Sequence, residues 1–171
     1  MSIYTDAQEI IHSALEACLP DQAVRRALEG KEFGSGRVFL VALGKAAWQM
    51  AHCAAELLGP RLEQGVVVTK HGHSQGDIPR CQVFEGGHPV PDEGSFRGTR
   101  AAMELVRDLA PQDTVVLLVS GGGSALFESP LIPAEELAQL TSALLACGAD
   151  IVEMNTIRKR LSAVKGGRFA Q

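Results

Sequence analysis

Five small residues, Ser120-Gly121-Gly122-Gly123-Ser124, follow directly on the apolar run Thr114-Val-Val-Leu-Leu-Val119. Consecutive glycines admit positive φ and let a ligand reach the backbone without Cβ atoms in the way. Their N–H groups can form an anion-binding nest, helped by any helical turn that follows, with the two serine hydroxyls as extra donors. A tight turn without a ligand is the plain alternative, but three glycines are entropically costly for a turn alone. The segment therefore reads as a loop for a phosphate or carboxylate. It fits neither stricter template. A Walker-A loop would need glycine at Phe39 and Ser or Thr at Ala46 around Gly44-Lys45. A dinucleotide fingerprint would need a third glycine at Leu126, and no acidic residue ends a next strand.

Three further segments carry polar chemistry. Gly44-Lys45 closes the apolar run Val38–Leu43 and opens a helical pattern. A lysine there lies where α/β sheets bind ligands, and its ammonium can neutralise transferring phosphoryl oxygens. A lysine at a helix start is unfavourable for the macrodipole, so a bland surface role leaves it poorly explained. His71, His73 and His88 stand in or beside glycine-containing loops. Without recognisable ligand spacing or obvious carboxylate partners, structural or ligand-contact roles suit them better than a zinc site, and metal ligands stay unassigned. The stretch from Asn155 to Arg168 is densely cationic. On a helix, Asn155, Arg158, Lys159, Ser162 and Lys165 largely share a face, which serves equally as a solvated basic face or as an anion site. Gly166-Gly167 after Lys165 tilts it toward close backbone approach.

These segments need a scaffold, and the bulk composition indicates which. The 171 residues suit one domain, and 46% hydrophobic with 21% charged is ordinary for a globular chain. Aromatics are only 5%, so aliphatic side chains must fill the core. A net charge of −4 with no basic stripe argues against nucleic acid as a partner. No apolar run approaches the roughly 20 residues of a membrane span, and no signal peptide is expected from the N-terminal residues, which lack a basic segment followed by an apolar one. Cys18, Cys53, Cys81 and Cys147 are widely spaced. Three of them fall in apolar patterns and read as buried thiols of a cytoplasmic protein.

Periodicity supplies the elements. A helix is expected from Thr5, where Thr5-x-x-Gln8 has the capping-box pattern, and a short one from Asp21 to about Glu29. These two read as a cover or a dimer surface. Strands follow at Val38–Leu43, Val66–Thr69, Gln82–Phe84 and Thr114–Val119. Helices are expected at Lys45–Leu58, Glu93–Leu109, Pro133–Cys147 and Asp150–Val164. Alternating strands and helices predict an α/β fold: an open, mostly parallel twisted sheet with helices on both faces, Rossmann-like and three-layered.

Four motifs in order carry a family resemblance: Val41-Ala-Leu-Gly-Lys-Ala-Ala47, Gly86-Gly-His-Pro-Val-Pro-Asp92, Leu118-Val-Ser-Gly-Gly-Gly-Ser-Ala-Leu-Phe127 and Asn155-x-x-Arg158-Lys-x-Leu-Ser162-x-x-Lys165-Gly-Gly-Arg168. Together they resemble the glycerate 2-kinases of the MOFRL type, a family often labelled hydroxypyruvate reductase in tartrate degradation. The resemblance implies ATP- and Mg²⁺-dependent phosphorylation of D-glycerate at its 2-hydroxyl. It also implies Lys45 as the catalytic lysine and Gly44, Ser120, Gly121, Gly122, Gly123, Ser124 and Lys165 as the phosphate and nucleotide site. His88, Asn155, Arg158 and Lys159 would contact substrate. Members of that family are longer, so residues 1–171 are expected to be the N-terminal nucleotide- and substrate-binding part of a kinase, inactive alone. An NAD(P)-dependent hydroxypyruvate reductase and a non-catalytic binding or dimerisation module are the alternatives. The missing dinucleotide fingerprint counts against the first.

Overall fold

The structure, a computed structural model, describes residues 2–171. Two helices come first, α1 (Ile3–Ala17) and α2 (Pro20–Leu28). Then follow β1 (Val38–Leu43), α3 (Ala47–Leu58), β2 (Leu62–Lys70), β3 (Cys81–Gly86), α4 (Glu93–Leu105) and β4 (Thr114–Val119). The chain continues through a single turn α5 (Gly123–Leu126), then α6 (Ala134–Ala146) and α7 (Ile151–Arg160).

The four strands form one parallel sheet in the order β3-β2-β1-β4. All six residues of β1 are buried, as expected for a central strand whose apolar run does not alternate. One face of the sheet packs Leu40, Ala42, Val67 and Leu118 against α2 and α3, through Val24, Ala47, Ala51 and Leu58. The other packs Val41, Val66 and Val68 against Ala102 of α4 and against Leu126 and Phe127. Each fully buried Val or Leu contributes roughly 1.5–3 kcal/mol, so an aliphatic core suffices. This is the three-layer α/β arrangement that the alternation of patterns predicts. At the β4 edge the second face stays open, with Leu117 and Val119 exposed.

Several boundaries move, each for a local reason. The first helix starts at Ile3, because the Ser2 hydroxyl caps it by accepting from the Tyr4 N–H, and Thr5 falls inside the helix. α4 stops at Leu105, four residues early. Ala110 precedes Pro111 and is disfavoured in helical conformation, and its N–H donates instead to Asp113 (2.9 Å). α7 ends at Arg160. Beyond it the Leu131 N–H donates to Leu161 O (2.9 Å) and the Ala163 N–H to Ser129 O (2.8 Å), in an antiparallel bridge of Ser162 with Pro130. Ser162 and Lys165 therefore lie off the helix, and the single cationic helix face does not exist. The cysteines are also not uniformly buried. Cys53 is buried and Cys81 half-buried, whereas Cys18 and Cys147 cap the ends of α1 and α6 in solvent. No helix among the described residues is long and apolar enough to cross a membrane.

An ion pair ties together the starts of β1 and β4. The Asp113 carboxylate accepts from the Arg37 guanidinium (2.6 Å), the Arg37 N–H (2.9 Å) and the Ala110 N–H (2.9 Å). The Arg37 hydrogen bond chiefly, with the Ala110 N–H next, holds the Asp113 pKa down to about 2. A carboxylate depressed on folding contributes stability that is fully present above its unfolded pKa, about 4, and is lost as pH falls toward 2. Thermal melts of wild type and Asp113→Asn between pH 2 and 6 check this. The variant melts lower on the plateau, and its melting temperature falls less steeply below pH 4.

Candidate functional site

The strand order reverses between β1 and β4. β1 connects onward to β2 on one side and meets β4 on the other. The turn after β1 leads into α3 on one face, and the turn after β4 leads into Leu126 on the opposite face. Their divergence opens a crevice at the carboxyl end of the sheet, where open α/β folds bind ligands.

The two loops are stitched together at that crevice. The Lys45 N–H donates to Gly121 O (2.8 Å), and the Ser120 N–H donates to Leu43 O (2.9 Å). The Ser120 hydroxyl accepts from the Ala46 N–H (3.0 Å) and donates to Leu43 O (3.4 Å). Ser120 therefore joins the loops and does not point a free donor at a ligand. Gly44, at φ +115°, passes so close that a Cβ on it would lie 2.3 Å from Ser120 Oγ. The Lys45 carbonyl accepts from the Thr69 hydroxyl (3.4 Å) and meets His73 Nδ1 at 2.9 Å. The Lys45 backbone is thus held from three sides while its side chain is exposed. Among the described residues it makes no ion pair.

Gly122, at φ +87°, is the point of convergence. A Cβ there would meet His88 Cδ2 at 3.0 Å, His88 Nε2 at 3.1 Å and Lys45 Cγ at 3.1 Å. Three distant motifs meet on one glycine. No backbone carbonyl among the described residues accepts from the N–H of Gly121 or Gly122. Gly121 has open space where a side chain would stand. Burial first, then the positive charges of Lys45 and Lys70, lower the His88 pKa, so the ring is neutral at pH 7. Its loop is tied back by His71 Nε2 against Asp92 (2.7 Å), and Asp92 also caps α4 through the Ser95 N–H (3.1 Å).

On the other side of the loop lies a hollow of about 460 Å³. Ser120, Gly122, Gly123 and Ser124 line it, together with Asn155, Lys159 and Lys165. Arg158 does not reach its wall: its guanidinium donates to Ser124 O (3.3 Å). Lys165 lines the hollow but spends its protons internally. Its ammonium donates to Ser124 O (2.7 Å) and Phe127 O (2.8 Å) and stands 3.0 Å from the Glu128 carboxylate. Burial lowers its pKa, and Glu128 opposes that shift. Glu128, fully covered, was not legible in the sequence, because a glutamate before Ser-Pro looks like an ordinary loop residue. Among the described residues, no group of three His, Cys, Asp or Glu could hold a metal ion.

Residues 6–171 match the family model described as a domain of unknown function, DUF4147. The chain belongs to the DUF4147 family. This DUF4147 chain is 54% identical over 167 residues to a protein of Thermotoga maritima named D-glycerate 2-kinase, covering 96% of the chain and 40% of that protein. It is 41% identical over 183 residues to a glycerate 2-kinase of Pyrococcus horikoshii, covering 100% of the chain and 41% of the relative. A crystal structure of glycerate kinase from Thermotoga maritima superposes with a TM-score of 0.90 at 54% identity, over 96% of the chain and 40% of that structure. The chain thus spans about two fifths of the length of these relatives.

Two glycines of the site should respond oppositely to the same change. Gly44→Ala forces a Cβ into Ser120 at positive φ and should cost about 3 kcal/mol. Gly121→Ala enters open space, with a change within about 0.5 kcal/mol. Urea denaturation of the two variants beside wild type measures both.

Proposed function

We propose that this chain is the N-terminal nucleotide- and substrate-binding part of a kinase that transfers the γ-phosphoryl group of ATP to the 2-hydroxyl of D-glycerate. The observation that carries the reading is the meeting of Lys45 and His88 on Gly122, beside a glycine-rich loop whose Gly121 and Gly122 N–H groups have no backbone acceptor among the described residues. The relatives named glycerate 2-kinase support the acceptor.

In this reading the β–γ bridging bond of ATP breaks and a bond forms from the glycerate 2-oxygen to phosphorus. ADP leaves, and the hydroxyl proton is released. Such a transfer is mostly positioning and charge neutralisation. The N–H groups of Gly121 and Gly122 hold phosphate oxygens, with Ser124 at the rim of the same loop. Lys45, exposed and without an ion-pair partner among the described residues, is the catalytic lysine and offsets the charge on the transferring group. Gly44 and Ser120 hold Lys45 in register with the loop. Neutral His88 can hydrogen-bond an acceptor without adding charge. Asn155 and Lys159, across the hollow, contact the substrate, while Lys165 and Arg158 act from behind the loop through the Ser124 carbonyl. Mg²⁺, brought by the nucleotide, would supply further neutralisation of phosphate charge. No residue of this chain is assigned to it.

A nicotinamide-dependent reductase is less well supported, because Leu126, where a dinucleotide fingerprint needs its third glycine, is a fully buried core residue. The reading includes a cytoplasmic homodimer. α1 has no buried residue and exposes Ile3, Ile10, Ile11 and Leu15, and a second copy is the proposed cover. Sedimentation of wild type and Ile11→Glu checks it: the variant shifts toward monomer.

Calorimetric titration with ATP–Mg²⁺ tests the site. Gly122→Val places a branched side chain onto Lys45 and His88 and should weaken binding at least about tenfold, or roughly 1.4 kcal/mol. Lys45→Met, leaving the loop intact, should weaken it several-fold. Equal affinity of wild type and Gly122→Val, both verified as folded by melting, would overturn the phosphate-loop reading.

A further inference from the structure

We propose that Glu128 is a positioning residue for the glycine-rich loop: by holding the Lys165 ammonium, it fixes the Ser124 and Phe127 carbonyls on which that loop ends. The proposal deepens the reading of residues 120–124 as a phosphate site and rests on it for its functional meaning, though not for its geometry.

Glu128 is 1% exposed, yet neither carboxylate oxygen has a well-formed hydrogen bond among the described residues. Its compensation comes from two cations, Lys165 Nζ at 3.0 Å and the Arg158 guanidinium at 4.0 Å. A buried carboxylate with so few partners is unfavourable, and apolar packing of similar volume would often serve stability as well. Stability is therefore a poor reason for it. Placement is a better one. The Glu128 N–H donates to Thr99 Oγ1 (3.0 Å), and that hydroxyl donates to Ser95 O (2.8 Å), so Glu128 is anchored to α4, on the body of the domain. Lys165 and Arg158 come from the segment after α6. Among the described residues their only anionic neighbour within 4 Å is Glu128, and both donate to Ser124 O. Glu128 is thus the fixed charge that docks a separate cationic segment beneath the loop. Remove its charge and two cations face each other with only the Ser124 and Phe127 carbonyls to hold them.

The consequence is a change in the loop. Glu128 and Arg158 are the ionised groups facing Lys165; Lys159 lies on the rim of the same hollow, and His88 stands across Gly122. Burial already lowers the Lys165 pKa while Glu128 raises it, so losing Glu128 lets Lys165 shed its proton at lower pH.

Amide hydrogen exchange of residues 121–127 without nucleotide, at pH 7 to 9, tests this in wild type, Glu128→Gln, Lys165→Met and the double variant. Either single change should lower protection of this segment about tenfold, with the β1–β2 core unchanged. The double should do no more than either single, since the two residues act as one unit. In Glu128→Gln protection should fall further as pH rises, whereas wild type and Lys165→Met stay flat. Unchanged protection, additive losses, loosening spread evenly over the sheet, or no new pH dependence would each overturn the proposal. If Glu128→Gln fails to fold, Glu128→Asp takes its place in the cycle and is judged by the same protection and additivity. Wild type that fails to bind ATP–Mg²⁺ while these losses occur would overturn the phosphate-site reading and leave the positioning role standing.

Discussion

The contact between Gly44 and Ser120 governs the arrangement of everything at the carboxyl end of the sheet. β1 and β4 run parallel in register to Leu43 and Val119, and their chains then leave on opposite faces. They can lie this close only because Gly44 has no Cβ and tolerates φ +115°. The Ser120 hydroxyl and the Lys45 N–H lock the seam, and the Gly121 and Gly122 N–H groups have no backbone acceptor among the described residues. A local backbone constraint thereby produces an anion-binding surface, with no charged side chain needed to shape it.

Charge around that surface is divided into two kinds. Lys45 is held by its backbone and free at its ammonium, so its charge is available to whatever occupies the crevice. Lys165 is the reverse: its ammonium is occupied by two carbonyls and a covered carboxylate, so its charge acts on the protein. The two lysines stand on opposite sides of the same glycine loop. Burial separates their roles: the covered ammonium is committed to internal partners, and the exposed one is not.

Much of the fold was legible because it follows from local chemistry. Parallel strands buried on both faces need unbroken apolar runs, and Val38–Leu43 is one; the apolar run Thr114–Val119 also forms a parallel strand, but at the edge with one face open. Gly59-Pro60 and Gly148 mark helix ends where expected, with Gly148 at φ +78°. Errors came where a partner distant in sequence competes for backbone groups. Helical periodicity continues past Arg160, but the segment 129–131 claims those N–H and C=O groups through an isolated antiparallel bridge. Periodicity cannot register a competitor thirty residues away. The cysteines failed similarly, since an apolar neighbourhood in sequence at Cys18 and Cys147 is an exposed helix end in space.

The residues of the candidate site were legible by type. Three glycines in a row, a lysine after a buried strand and a histidine among glycines are locally expensive choices that a bland loop does not need. Their division of labour was not. Ser120 became a stitch between strands, Lys165 a buried anchor, and Glu128 a covered charge, each through contacts spanning roughly 30 to 80 residues of chain. The sequence by itself determined an aliphatic parallel α/β sheet and the positions where backbone could approach a ligand, because conformational freedom and burial are properties of single residues and short runs. Only the tertiary structure decided which donors remain free, because hydrogen-bonding capacity is finite and folding allots it among groups that the linear chain keeps apart.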